Sequence, residues 1–197
     1  GKGKVEEEEA AAPKSKKKRR GRNGREMITI NSISGNIHHD ESLRKSYEDM
    51  SSRSLCESIK INRMEAQRVR MRKRSSNGTD IAITLTPGSK LRHGDVLMIE
   101  SDRMVIVELE PENVAVIQVK DNIHEHDAIQ IPAAIGHAIG NLHRPIKLDG
   151  RKIYFPIQAD SEIEMFKKMF GRLLDHLEIT QAKMVFEPEE GTDVHEH

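Results

Sequence analysis

The hydrophobic pattern changes period partway along the chain. Between Met27 and about Glu110 the apolar positions come in short runs: Ile28 and Ile30, Ile59 and Ile61, Val69 and Met71, Ile81 and Ile83, Val96 to Ile99, and Met104 to Leu109. Asn77-Gly78, Pro87-Gly88 and His93-Gly94-Asp95 punctuate these runs, which predicts strands joined by tight turns in a small antiparallel β domain. Asp40 to Ser54 is polar and interrupted, and reads as a loop carrying one helical turn.

Past Pro111-Glu112-Asn113, where a boundary is expected, longer elements follow. Val114 to Val119 is a strand, and a loop through His124 and His126 leads into a helix. On that helix Ile131, Ile135, Ile139 and Leu142 recur at four- and three-residue steps, while Ala133, Ala134, Gly136, Ala138 and Gly140 keep the remaining surface small. Gly140-Asn141 stops the helix, because both residues tolerate the left-handed conformation, and Pro145 cannot continue it. Two short strands flank Asp149-Gly150. Ser161-Glu162-Ile163-Glu164 then reads as a capping box, opening a helix whose one face carries Ile163, Phe166, Phe170, Leu173, Leu174 and Leu177. Ala182 to Phe186 supplies a last strand. The order β-α-β-β-α-β is that of a ferredoxin-like domain, a four-stranded sheet with both helices on one side. The fold class is therefore α+β: a disordered tail over 1–26, an N-terminal β domain over 27–111, a ferredoxin-like domain over 112–188 and a flexible tail over 189–197.

Composition agrees with small cores and polar tails. Of 197 residues, 36% are hydrophobic, 32% charged and only 3% aromatic, with zero formal net charge. The charge is unevenly placed, since Lys16 to Arg20 form a basic run and leave the remainder mildly acidic. That arm is read as a solvated tail; its alternative, a nucleic-acid-binding arm, rests on the counterions that Lys and Arg blocks release from phosphates. A lone Cys56 excludes an intramolecular disulfide and any Cys-x-x-Cys site, and points to a reducing compartment. No apolar run approaches the roughly 20 residues of a membrane span, and no signal-peptide core opens the chain, so a cytoplasmic protein is expected.

Candidate chemistry lies in the histidines. His143 falls just past a helix end, where the dipole favours a cation, and imidazole suits late transition metals. If the small helix surface packs on its two-fold mate, two copies of His143 meet, and further ligands must come from elsewhere. His195 and His197 end the chain and can be presented without strain. His137 ranks behind them, and His38, His39, His93, His124, His126 and His176 receive structural or solvated readings. There is no phosphate loop, no His-Glu-x-x-His pair and no Gly-x-Ser-x-Gly turn, and nothing supplies the general base a zinc hydrolase needs. An imidazole and carboxylate set suits nickel, zinc or copper rather than magnesium.

Gly140-Asn141-Leu142-His143 resembles the Gly-Asn-Arg-His signature of the UreE family, urease accessory proteins that act as nickel metallochaperones. Asn77 to Ile83, Leu91 to Leu97 and Phe186-Glu187-Pro188-Glu189 are similar to further family segments, so the resemblance runs from about Met27 to the C-terminus. It implies a non-enzymatic nickel carrier, with zinc or copper as substitutes in vitro. It also implies a β domain for protein contacts and a metal-binding domain that dimerises, so that His143 from each subunit meets at the two-fold axis with His195 and His197 supplementing it. The implied partners are a second copy, with a dimer of dimers as a further assembly, and the urease accessory GTPase with apo-urease; neither membrane nor nucleic acid is expected. Leu142 stands where the signature has Arg, and Tyr154 to Ala159 lack the histidine pair some members carry there.

Overall fold

The computed structural model describes residues 18–20 and 26–189. The expected tails over 1–26 and 189–197 thus fall largely outside the described residues, and His195 and His197 fall there entirely. Two compact units are present, one built from residues up to Ile59 with Arg68–Lys90 and Val96–Ile106, the other from Lys60–Gln67, Leu91–Asp95 and the chain from Val107 onward.

In the first unit, β1 (Lys18–Arg20), β2 (Glu26–Ile30), β3 (Gly35–Asn36), α1 (Glu41–Ser52), β4 (Cys56–Ile61), α2 (Arg63–Ala66, of the second unit), β5 (Arg70–Arg74), β6 (Asp80–Thr84), β7 (Asp95–Glu100) and β8 (Arg103–Leu109) follow in chain order. They form sheets of order β1-β2-β6-β5 and β3-β7-β8-β4. Alternation places Ile28, Ile30, Ile81 and Ile83 on the buried face of the first sheet. Two features depart from expectation. β2 and β6 run parallel, with Ile28 opposite Ile81, so a crossover connects them rather than a turn. The segment expected to be a loop is the 12-residue α1. Asp40 caps it by accepting from the N–H groups of Ser42 and Leu43, and Leu43, Tyr47 and Met50, at steps of four and three, pack on Ile37, Val96, Met104 and Ile106.

Beneath the Asn77-Gly78 turn the same unit buries Glu57, which is 2% exposed. Ser75 and Thr79 hydroxyls donate to its carboxylate, and the Arg103 guanidinium donates to it as well. A buried charge is tolerated only with such complete pairing.

The second unit continues with β9 (Glu112–Val119), α3 (Asp127–Asn141), β10 (Lys147–Asp149), β11 (Lys152–Pro156), α4 (Glu162–Met169), a 3-10 turn over Gly171–His176 and β12 (Leu177–Met184). Its sheet has the order β10-β11-β9-β12 and every neighbouring pair is antiparallel. Central β9 is buried on both faces, which explains its unbroken Val-Ala-Val-Ile run. Ala115, Ile117 and Val119 meet Ile131, Ile135 and Ile139 of α3 and Ile163 and Phe166 of α4 on one side. Val114 and Val116 meet Phe186 on the other, with Arg63 lying 5.6 Å from the Phe186 ring and bonded to Glu112 at 3.0 Å.

The last helix differs from the expected one. It stops at Met169 before Gly171, and Leu177 belongs to β12, where it alternates with Ile179 opposite Val119 and Ile117. Ser161 makes no side-chain cap bond; Glu162 reaches back to the N–H groups of Gln158 and Ala159 instead. Phe166 is fully buried and meets Phe155 edge-on, with ring centroids 4.7 Å apart. Replacing Phe166 with Ala should cost about 3–5 kcal/mol in denaturant unfolding, because the cavity adds to the lost transfer energy.

Candidate metal centre

The end of α3 shapes the candidate site. The helix closes with Leu142 as its cap, and the next residue, His143, takes a positive φ of 53°. His143 N–H donates to the Gly140 carbonyl at 2.9 Å, and Arg144 N–H donates to the Ile139 carbonyl at 3.4 Å. These two bonds are the paired closure of a Schellman motif, in which the residue past the cap is left-handed and usually glycine. Gly140 and Asn141 were expected to supply that conformation, and the structure gives it to His143. A β-carbon there costs about 1–2 kcal/mol, although histidine enters this region more readily than most residues. The imidazole is exposed.

Arg144 anchors the turn. Its guanidinium donates to the Pro156 carbonyl at 2.9 Å and to the Glu162 carboxylate, and lies 5.7 Å from the Phe166 ring centroid. Both side chains of the ion pair are mostly buried, at 19% and 15% exposure. Burial pushes the Glu162 carboxyl up, but the hydrogen bond from Arg144, those from Ala159 and Gln158 N–H, and the guanidinium charge more than offset it and hold the group below its ordinary value. The chain leaving α3 is thereby tied to β11 and α4 directly behind His143.

The outer face of α3 is small and open. Ala133, Ala134, His137, Gly140 and Asn141 are exposed, Leu142 is 38% exposed rather than completing the buried stripe, and Ile129 is 80% exposed. A β-carbon built on Gly136 or Gly140 meets nothing within 4 Å. Each mid-helix glycine costs about 0.5–1 kcal/mol relative to Ala, so packing among the described residues does not account for them. Ala134 and Ala138 also line an open groove of about 580 Å³ with Met169, Phe170 and Leu173, flanked by Lys168 and Arg172.

The other candidates scatter. His137 is exposed with Nε2 3.1 Å from the Asn141 side-chain amide. His38, His39, His124 and His126 are exposed. His93 is used structurally, its Nδ1 accepting from Leu109 N–H at 3.1 Å. His176 has a buried Nδ1 without a hydrogen bond among the described residues, a feature that the sequence pattern did not single out. Burial pushes the Cys56 thiol up, away from the thiolate form. Among the described residues no group of three or more His, Cys, Asp or Glu side chains is placed to hold a metal ion.

Comparison with known proteins bears on this geometry. The family described as UreE urease accessory protein, N-terminal domain, matches residues 30–110. Proteins named urease accessory protein UreE are similar over more of the chain. One from Natronomonas pharaonis is 28% identical over 137 residues, covering 70% of this chain and 63% of its own length. Others from Yersinia pestis and Yersinia pseudotuberculosis are 28% identical over 188 residues, covering 87% of this chain and 80% of theirs. This chain thus spans a little under two thirds of the Natronomonas protein. The family match and the relatives together support the UreE family.

A carboxyl held below its ordinary value near 4.5 stabilises the fold above that pH and loses its contribution as pH falls through the depressed value. Glu162→Gln should therefore lower unfolding stability by about 2 kcal/mol at pH 7, with the difference from the parent shrinking as pH falls through the depressed value of that carboxyl. His143→Gly should leave the fold unchanged or about 1 kcal/mol more stable, since glycine accepts the positive φ freely.

Proposed function

We propose, on the UreE family that the matches support, that this chain is a non-enzymatic nickel carrier in urease maturation. The observation that carries the reading is an exposed imidazole at the left-handed end of α3, beside an exposed helix face on whose glycines an added β-carbon would meet no atom within 4 Å among the described residues. A second copy packed on that face accounts for both. Two such copies bring His143 and its mate together at a two-fold axis, and an isologous interface makes one contribution from each subunit automatic. His195 and His197 complete a labile shell, and His137 is a secondary ligand once Asn141 releases it. The strand order of the second unit, with both helices packed on one sheet face, supports a ferredoxin-like arrangement used for dimerisation and metal holding.

Lability follows from the ligand set. Imidazoles on an exposed turn and at the end of the chain can be exchanged one at a time, so a receiving protein takes the metal without unfolding the donor. The receivers are the urease accessory GTPase and apo-urease, and the compartment is the cytoplasm; no described helix is long and apolar enough to cross a membrane. Zinc and copper fit the same donors in vitro, copper more tightly by intrinsic affinity order. Metal-linked pairing of dimers is a further outcome of ligands carried at the end of the chain.

The test is calorimetric titration of nickel with mass measured by light scattering. The parent should show one tight site per dimer, and His143→Gly should weaken it on the order of 100-fold or more while the dimer persists. Unchanged affinity in that variant would refute the assignment. Removing residues 195–197 should lower affinity or stoichiometry. Gly140→Ala should stabilise the isolated chain by about 0.5–1 kcal/mol yet weaken the dimer, because its new methyl group points into the interface; a dimer of undiminished strength would place the interface elsewhere.

A further inference from the structure

We propose that Glu189 is a positioning residue for the metal site: it fixes the point, beside the turn that bears His143, from which residues 190–197 set out. The proposal rests on the carrier reading and concerns the second unit alone. Its starting observation is the path of the chain after β12. That strand is one edge of the sheet β10-β11-β9-β12, yet by Glu189 the chain has reached the opposite edge, at β10. Phe186 is 1% exposed and packs on Val114 and Val116 of central β9 along the way. Glu187 accepts from the His93 N–H at 2.9 Å, and Pro188, with its fixed φ, stiffens the next step. The Glu189 N–H then donates to the Ile146 carbonyl at 2.9 Å, and the Glu189 carboxylate accepts from the Leu148 N–H at 3.2 Å.

Those two bonds flank Lys147. A residue paired in parallel with Lys147 would donate to the Ile146 carbonyl and accept from the Leu148 N–H through its own carbonyl. Glu189 makes the first bond with its backbone and the second with its side chain. The carboxylate thus stands in for a main-chain carbonyl, and the ladder is interrupted at its first rung; Glu189 belongs to no strand. The chain is fastened to the edge of β10 without being committed to run along it.

The place of fastening matters for reach. Ile146 stands three residues after His143, a span of at most about 11 Å, and neighbouring chains at a sheet edge lie about 5 Å apart, which puts Glu189 within about 16 Å of His143. His195 follows Glu189 by six residues and His197 by eight, spans of at most about 22 and 29 Å. Both imidazoles therefore reach the turn from this starting point. The nearest buried hold upstream is Phe186, nine residues before His195 and over β9, so a chain released at Glu189 starts farther from the turn with a longer run. A tethered ligand acts at an effective concentration that falls as its tether lengthens. Fastening at Glu189 raises that concentration at His143.

The rival role is protection of the β10 edge, which would hold whether or not the histidines follow. Calorimetric titration of nickel into the full chain, into Glu189→Ala and into both after removal of residues 195–197 separates the two. In the full chain Glu189→Ala should weaken nickel binding about threefold or more, and in the shortened chain it should change nothing. Glu189→Gln should restore the parent affinity, because its amide oxygen also accepts from the Leu148 N–H. Melting temperatures should agree, since Glu189 is exposed. An equal loss in the full and shortened chains would overturn the proposal in favour of a purely structural bond. Full affinity in Glu189→Ala, where removal of 195–197 does weaken binding, would overturn it and leave the carrier reading standing. If removal of 195–197 costs nothing, the proposal falls together with the part of that reading that assigns His195 and His197 to the metal.

Discussion

The guanidinium of Arg144 holds the end of α3 in place, and the geometry of the candidate metal centre depends on it. It receives support from three directions: the Pro156 carbonyl of β11, the Glu162 carboxylate of α4 and the face of Phe166. Each of these partners is itself fixed, Phe166 by the core and Glu162 by two backbone N–H groups. A left-handed histidine is unfavourable in isolation, and such a conformation persists only where the surroundings over-determine it. The residue that bears the imidazole is therefore placed by the residue after it.

Behind this anchor lies a sheet whose central strand is buried on both faces. β9 carries the contacts of both helices on one side and of Phe186 with Tyr154 and Ala182 on the other. Short β10, at the sheet edge, follows directly from the turn that bears His143 and needs only three residues to pair with β11. A rigid frame thus presents an exposed imidazole. The departure at Leu142 from the family signature fits this frame: Leu142 is the helix cap and partly exposed, while the arginine in this chain that does the anchoring is Arg144.

The two units display different surface chemistry. The second presents small residues, glycines and an imidazole along α3, a face suited to close approach by a like surface. The first presents Arg70, Arg72 and Arg74, all exposed, along β5.

Elements whose signals are local were legible in the sequence. The α3 stripe of Ile131, Ile135 and Ile139 is a matter of spacing, its end near Gly140-Asn141 a matter of backbone freedom, and the Asn77-Gly78 and Asp149-Gly150 turns likewise; the family resemblance at Gly140 to His143 was legible too. The helix α1 was obscured because only three of its 12 residues, Leu43, Tyr47 and Met50, face the core, and their stripe is thin against a polar background. The start of β12 at Leu177 was hidden because Leu177 continues the helical spacing of Phe170 and Leu173, and only pairing with Val119 decides between the two periods. The parallel pairing of β2 with β6 and the bond between Arg144 and Glu162 join residues far apart in sequence, for which no local pattern exists. The sequence by itself determined which residues could bury a face, end a helix or carry an imidazole. The tertiary structure decided which residue takes the left-handed turn and what anchors it, because those outcomes are set by partners that only folding brings into reach.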